Sequence, residues 1–274
     1  MPDWRYGVES IEQNKGSKSM IFTMDVGNTN IKMALFDKEE MVGYWRLSST
    51  RKYTSDEMGS TLMNLFSMKG FKVSDVDGVM LSSVVPTVNF TVEHMFRDYF
   101  DIEPMYVAPG IKTGVDIKYE NPRELGSDRI CNAVAAANIY GGPCVYIDFG
   151  TATTFGVLDE KNAFLGGAIC PGLKLTSEAL VSGTAKLPHI ELIKPEHAIG
   201  KTTVANLQSG LIFGYVGLVE YLAKKLKNEM GHPDAKVIAT GGTAKIIASE
   251  SDCIDVVDGL LTLKGLRLIW EKNH

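Results

Sequence analysis

Met24-Asp25-Val26-Gly27-Asn28-Thr29-Asn30-Ile31-Lys32 lies near the start of the chain, and Ile147-Asp148-Phe149-Gly150-Thr151-Ala152-Thr153-Thr154 repeats its plan about halfway along. Each stretch follows an apolar run, Ile21 to Met24 or Val145 to Ile147, sets an aspartate at the strand end, turns at glycine and adds hydroxyl side chains. Each then re-enters an apolar strand that ends at a second aspartate, Asp37 or Asp159. This is a β-hairpin written twice. Glycine has no Cβ, so the backbone amides of such a turn can approach and bond an anion such as a phosphate, while Thr and Asn side chains add donors. The neighbouring aspartate suits a hydrated cation. Two such hairpins facing one another clamp a polyphosphate between two lobes, which points to phosphoryl transfer.

Composition narrows the field. At 274 residues the chain has room for two domains, in keeping with the duplication. A net charge of −5 gives no basic footprint for nucleic acid. Cys131, Cys144, Cys170 and Cys253 are irregularly spaced, and with 12 Met they fit buried thiols in a reducing compartment better than disulfides or a zinc site. Gly, Pro and charges interrupt every apolar run before it reaches the ~18 residues that span a bilayer, so no membrane partner is expected and the localisation expected is cytoplasmic. Residues Met1 to Ser19 lack the apolar centre of a secretory signal and read as an N-terminal extension, with the fold starting at Met20.

Strands are expected over Ile21 to Val26, Lys32 to Phe36, Met41 to Leu47, Gly78 to Val85 and Met105 to Val107. Helices are expected over Ser55 to Met68, capped by Ser55-Asp56-Glu57, and around Val88 to Phe100. The second half repeats much of that order, with strands Cys144 to Phe149, Thr154 to Leu158, Ala163 to Ile169 and Lys236 to Ala239. Its helices fall around Leu173 to Leu180, Asn206 to Asn228 and from near Gly259. An Ala-rich helix, Ser127 to Tyr140, lies between the halves, which places the domains at 20–140 and 141–274. The paired hairpins resemble the actin-like, sugar-kinase and Hsp70 superfamily. That resemblance implies an α/β fold of two actin-like (ribonuclease H-like) lobes, each a mixed sheet with flanking helices, with a cleft between them.

Phosphoryl transfer requires neutralised phosphates, an acceptor oxygen held in line and a base for its proton. The first turn supplies amides, Asn28 and Thr29, and Lys32 brings a positive charge to the same place; Asp25 can order a Mg2+ shell through water. Either turn alone also reads as a plain hairpin with a buried strand-end aspartate. Tyr119 to Arg129 forms a polar loop before the Ala-rich helix, where Ser127 or Asp128 is either an ordinary helix cap or, for Asp128, a base facing the phosphate turns. Arg129 would then orient an anionic group. Ala239-Thr240-Gly241-Gly242-Thr243-Ala244 reads as a strand-to-helix turn or as part of an adenosine pocket, and the five histidines show no metal-ligand spacing.

Six segments occur in the order found in one family: Asp25-Val26-Gly27-Asn28-Thr29, Ser82-Ser83-Val84-Val85-Pro86, Gly126-Ser127-Asp128-Arg129, Asp148-Phe149-Gly150-Thr151-Ala152-Thr153, Gly166 to Gly172 and Gln208-Ser209-Gly210. Over Met20 to Trp270 the chain is similar to the bacterial type III pantothenate kinases. The resemblance implies ATP-dependent phosphorylation of pantothenate to 4′-phosphopantothenate, the first step of coenzyme A biosynthesis. It implies that Asp25, Val26, Gly27, Asn28, Thr29, Asn30, Ile31, Lys32 and Thr151 bind ATP, and that Asp128 is the general base. Tyr119, Gly126, Ser127, Asp128, Arg129 and Thr203 would contact pantothenate, and Asp148 would hold a metal ion, K+ (or NH4+), beside Mg2+-ATP. It further implies a homodimer with the site at or near the subunit interface. Two other readings stay open on the residues: a regulator of the same fold that binds pantothenate or nucleotide without turnover, and a kinase for a sugar or small carboxylate.

Overall fold

The computed structural model describes residues 19–274, so the extension expected over residues 1–19 lies, but for Ser19, outside them. Strands β1 (Met20–Val26), β2 (Asn30–Asp37) and β3 (Glu40–Ser48) form a meander. They are followed by α1 (Ser55–Met68), β4 (Val76–Ser83), α2 (Pro86–Phe100) and β5 (Met105–Tyr106). Helix α3 (Ser127–Ala135) leads into a second meander of β6 (Cys144–Phe149), β7 (Ala152–Leu158) and β8 (Phe164–Pro171). Then come α4 (Leu173–Ser182), α5 (Thr203–Glu229), β9 (Lys236–Gly241), α6 (Ala244–Ala248), β10 (Val256–Val257) and α7 (Leu261–Asn273).

The duplication is visible in the strand order. One sheet runs β3-β2-β1-β4-β5, and the other, read from its opposite edge, runs β8-β7-β6-β9-β10. In both, the first hairpin is antiparallel and the next neighbour, β4 or β9, is parallel to the strand that carries the turn aspartate. Each half is therefore a mixed sheet of an actin-like lobe.

Three cores hold these sheets. Phe22, Trp45, Phe66, Phe96 and Phe100 fill the space between the first sheet and helices α1 and α2. Val145, Ile147, Phe155, Ile212, Val219 and Ile247 do the same between the second sheet and α5 and α6. The third core is shared. Cys131 and Ala133 to Ala137 pack with Leu261, Leu263, Leu266 and Ile269, against Ala34, Phe36 and Met80 of one sheet and Tyr146, Leu158 and Ile238 of the other. Helices α3 and α7 thus lie between the lobes. A division at residue 140 assigns α7 to the second half by sequence order, yet in space it packs on β1, β2 and β4 of the first sheet.

Local differences have local causes. Helix α1 is capped by Thr54, one residue before the expected Ser55-Asp56-Glu57. Thr54 lies three residues before Glu57, and the two close a capping box in which the Glu57 amide donates to Thr54 Oγ1 (3.2 Å) and the Thr54 amide to Glu57 Oε2 (3.0 Å). The expected helix over Ser127 to Tyr140 is α-helical only to Ala135 and widens into a π-helical turn over Ala136–Tyr140, from whose end Tyr140 Oη donates to Asp258 (2.9 Å). Cys131 and Cys144 are buried as expected, whereas Cys170 and Cys253 are partly exposed; all four are free thiols. No helix among the described residues is long and apolar enough to cross a membrane.

Gly265 of α7 sets the spacing of the central pair, because a Cβ there would sit 2.0 Å from the carbonyl oxygen of Cys131. Gly265→Ala is expected to push α7 off α3 and lower stability by about 1–3 kcal/mol, as overpacking does. Urea unfolding at matched pH measures it.

Candidate functional site: the cleft between the two hairpins

The two glycine turns meet across the cleft. Thr29 Oγ1 lies 2.9 Å from Thr151 Oγ1, residues 122 positions apart in the chain. Each turn is closed by a bond from its glycine amide, Gly27 to the Asn30 carbonyl three residues on (3.1 Å) and Gly150 to the Ala152 carbonyl two residues on (3.1 Å). Val26 and Gly27 pass from β1 into the first turn, Asn28 and Thr29 form its tip, and Asn30 and Ile31 begin β2, so its donors are gathered at the mouth of the cleft. The second turn is held from behind, where Gly172 donates to the Thr151 carbonyl (2.9 Å) and Gly242 to the Phe149 carbonyl (3.0 Å).

Carboxylates converge beneath the turns. Asp25 and Lys32 are cross-strand partners in the β1–β2 register, which places their charged atoms 3.9 Å apart. Asp25 is 6% exposed, and burial, opposed by Lys32 and reinforced by the charges of Asp128 and Asp148, pushes its carboxyl up to about 7. Burial also raises Asp128, and the charge of Asp148 adds to it. Desolvation opposes the charge on Lys32, but the carboxylates of Asp148 and Asp25 outweigh it and hold the ammonium above its ordinary value. Asp148 has its Oδ2 bonded by Asn132 Nδ2 (3.2 Å), while its Oδ1 is buried with no partner. Gly241, at φ +96°, leaves this oxygen room, since a Cβ there would sit 2.6 Å from it. A buried, anionic and unpartnered oxygen in a space kept clear by glycine fits a cation.

Helix α3 delivers the third aspartate. Its cap residue is Gly126, without a side-chain cap bond, so neither Ser127 nor Asp128 takes the capping role open to it. Ser127 instead bonds Ser82 Oγ (2.9 Å) and the Ser83 carbonyl (3.3 Å), tying the helix start to the end of β4. Asp128 accepts from the Arg129 amide through Oδ1 (2.8 Å), which leaves Oδ2 for another group. A Cβ on Gly126 would lie 2.6 Å from that Oδ1, so the glycine is needed for the carboxylate's position. Arg129 is 6% exposed; its Nη2 donates to the Phe155 carbonyl (3.4 Å), its Nε has no partner, and its guanidinium lies over Phe164 (5.5 Å) and Tyr119 (5.8 Å). Tyr119 also lines an open depression of about 510 Å³ with Lys118, Glu120, Asn121, Glu124 and Leu165.

Thr203 opens α5, exposed, with no hydrogen bond to the cleft among the described residues; the helix is capped by Thr202, which accepts from Ala205 (3.1 Å). The turn Ala239 to Ala244 runs beside Asp148 through Gly241. Two cleft residues went unassigned in the sequence reading: Ser82, paired with Asp25 in the β1–β4 register, and Asn132. Asn132 lies four residues after Asp128, the spacing that shares a helix face, and it is polar in an Ala-rich segment.

The raised Asp25 couples folding to pH. The folded chain holds a proton there that the unfolded chain releases near 3.8, so this stability is complete below about 3.8 and is lost as pH rises through about 7. Urea unfolding should show a loss of roughly 1–4 kcal/mol between mildly acidic and mildly alkaline buffer in the ligand-free protein, and Asp25→Asn should flatten it.

Known proteins share this fold. A Campylobacter jejuni protein named as a Baf family transcriptional activator superposes with a TM-score of 0.59 at 21% identity, over 92% of this chain and 98% of that one. The ethanolamine utilization protein EutJ of Carboxydothermus hydrogenoformans gives 0.54 at 15% identity, over 91% and 89%. The activator of 2-hydroxyisocaproyl-CoA dehydratase from Clostridium difficile, solved with bound ADPNP, gives 0.53 at 14%, over 93% and 97%. At these identities the likeness establishes the fold. The family model for type III pantothenate kinase matches residues 21–225, a stretch that holds both hairpins and all three cleft aspartates, and the chain belongs to that family of ATP-dependent kinases, which phosphorylate pantothenate for coenzyme A biosynthesis.

Proposed function

We propose that the cleft carries out this phosphorylation with Asp128 as general base. The observation that supports it is the placement of Asp128 at the start of α3, with one oxygen fixed by the Arg129 amide, the other free, and its basicity raised by burial and by Asp148. The free oxygen takes the proton of the primary hydroxyl of pantothenate as that hydroxyl oxygen attacks the γ-phosphorus. The bond from the γ-phosphorus to the oxygen bridging it to the β-phosphate breaks, and ADP leaves. The amides of Val26 to Ile31, with Asn28, Thr29, Lys32 and Thr151, hold the phosphates, and Lys32 supplies positive charge beside them. Arg129, whose Nε is unpartnered, takes the pantothenate carboxylate, with Tyr119, Gly126 and Ser127 lining the approach.

Mg2+, when bound with ATP, neutralises phosphate charge, and Asp25 orders its water shell. Asp148, through its unpartnered Oδ1, holds a monovalent cation, K+ or NH4+. Thr203, exposed at the start of α5, serves the site of a second copy in a homodimer, a reading supported by exposed Leu165, Ile169, Leu175 and Val204. Free thiols and the use of ATP suit a cytoplasmic enzyme.

ADP release from Mg-ATP is expected to depend on pantothenate and to be faster in potassium than in sodium. Asp128→Asn should lower it by about 10²–10⁴-fold, the range for a general base, while the protein still binds pantothenate as read by a thermal shift. Undiminished turnover in that variant overturns the assignment of the base. Arg129→Met should raise the KM for pantothenate by at least about tenfold, because the carboxylate loses its charged partner.

A further inference from the structure

We propose that Asn132 and Thr262 are positioning residues of the cation site, and that the C-terminal helix thereby sets the affinity of Asp148 for its ion. The inference rests on the reading of Asp148 as a cation ligand. Asn132 on α3 is fully buried and Thr262 on α7 nearly so. Thr262 Oγ1 bonds Asn132 Oδ1 at 2.8 Å, and Asn132 Nδ2 bonds Asp148 Oδ2 at 3.2 Å. The direction of this chain is forced by chemistry. An ionised carboxylate only accepts, so the amide must turn its NH2 to Asp148, and its oxygen is then left for a donor. Thr262 is that donor.

Two consequences follow for Asp148. Its Oδ2 is engaged, so the carboxylate cannot rotate freely, and its Oδ1 is held toward the space kept clear by Gly241. Without the Thr262 hydroxyl the Asn132 oxygen would be buried and unpaired, and a flip of the amide would set that oxygen against the carboxylate. The hydroxyl therefore locks the amide in the one orientation that serves the site. It comes from residue 262, beyond the 21–225 stretch matched to the family, on the helix that packs against the first sheet. The second lobe's carboxylate is thus aligned by an element seated on the first.

Thr262→Val keeps the shape and removes the hydroxyl, and Thr262→Ser keeps the hydroxyl. Melting temperature without ATP is recorded against rising KCl, with choline chloride holding the ionic strength constant, and turnover is recorded over the same series. The valine variant is expected to need roughly tenfold more potassium for half of the thermal shift and half of the activation, equivalent to one hydrogen bond of about 1.4 kcal/mol. The serine variant is expected to restore the wild-type response, and the pantothenate KM is expected to stay in place. If the valine variant does not fold, Thr262→Ala is compared with serine in the same way. A valine or alanine variant with the wild-type potassium response overturns the proposal, as does a serine variant equally impaired. A wild-type protein indifferent to potassium in both measurements overturns the cation reading itself, and this inference with it.

Discussion

The approach of α3 to α7 is the constraint on which the cleft depends. Both helices are packed between the sheets, so their separation sets how far apart the two hairpins stand. That separation is small because Gly265 lets the backbones touch and because α3 presents cysteine and alanine side chains to its neighbours. Side chains in such an interior are close-packed, and a shift of a few tenths of an ångström is transmitted rather than absorbed. Asp128 and Asn132 ride on the same helix, so the spacing that satisfies the core also places the proposed base and the amide that grips Asp148. Packing and chemistry share one element.

Charge explains why the site is incomplete as a protein alone. The charges of Asp128 and Asp148 raise the proton affinity of Asp25, that of Asp148 raises Asp128, and Lys32 is the one cation paired with them at short range among the described residues. Burial of several carboxylates around one ammonium is unfavourable unless other cations join them. The arrangement makes sense for a cleft that works with metal ions and a polyphosphate, where ligand phosphates and their counter-ions complete the balance. The high proton affinity of Asp25 comes first from burial and then from the neighbouring carboxylates, and a proton there relieves both.

Much of this was legible because it was local. The Asp-x-Gly turns, the apolar strands around them and the Gly-Ser-Asp-Arg loop are short patterns whose geometry is set within a few residues, and the mirrored strand orders follow from the duplication they announce. The parts that escaped depend on distant partners. Thr262 gains its meaning from Asn132, 130 positions away, and no periodicity marks that pairing. Helix α7 belongs by sequence to the second half, yet its apolar face finds the first sheet. Strand β10, two residues long, is defined by its pairing with β9 rather than by any pattern of its own. Ser82 reads as one polar residue at the end of an apolar strand until β1 brings Asp25 alongside it.

The hydroxyl contact between Thr29 and Thr151 joins the two turns directly. Each turn hydrogen-bonds the other, so the hydroxyls proposed to receive phosphate are partnered with one another. In the proposed function nucleotide arrival is then a substitution: one bond between the lobes is given up, and each hydroxyl finds a phosphate oxygen in its place. On that reading, departure of ADP lets the two threonine hydroxyls bond each other again.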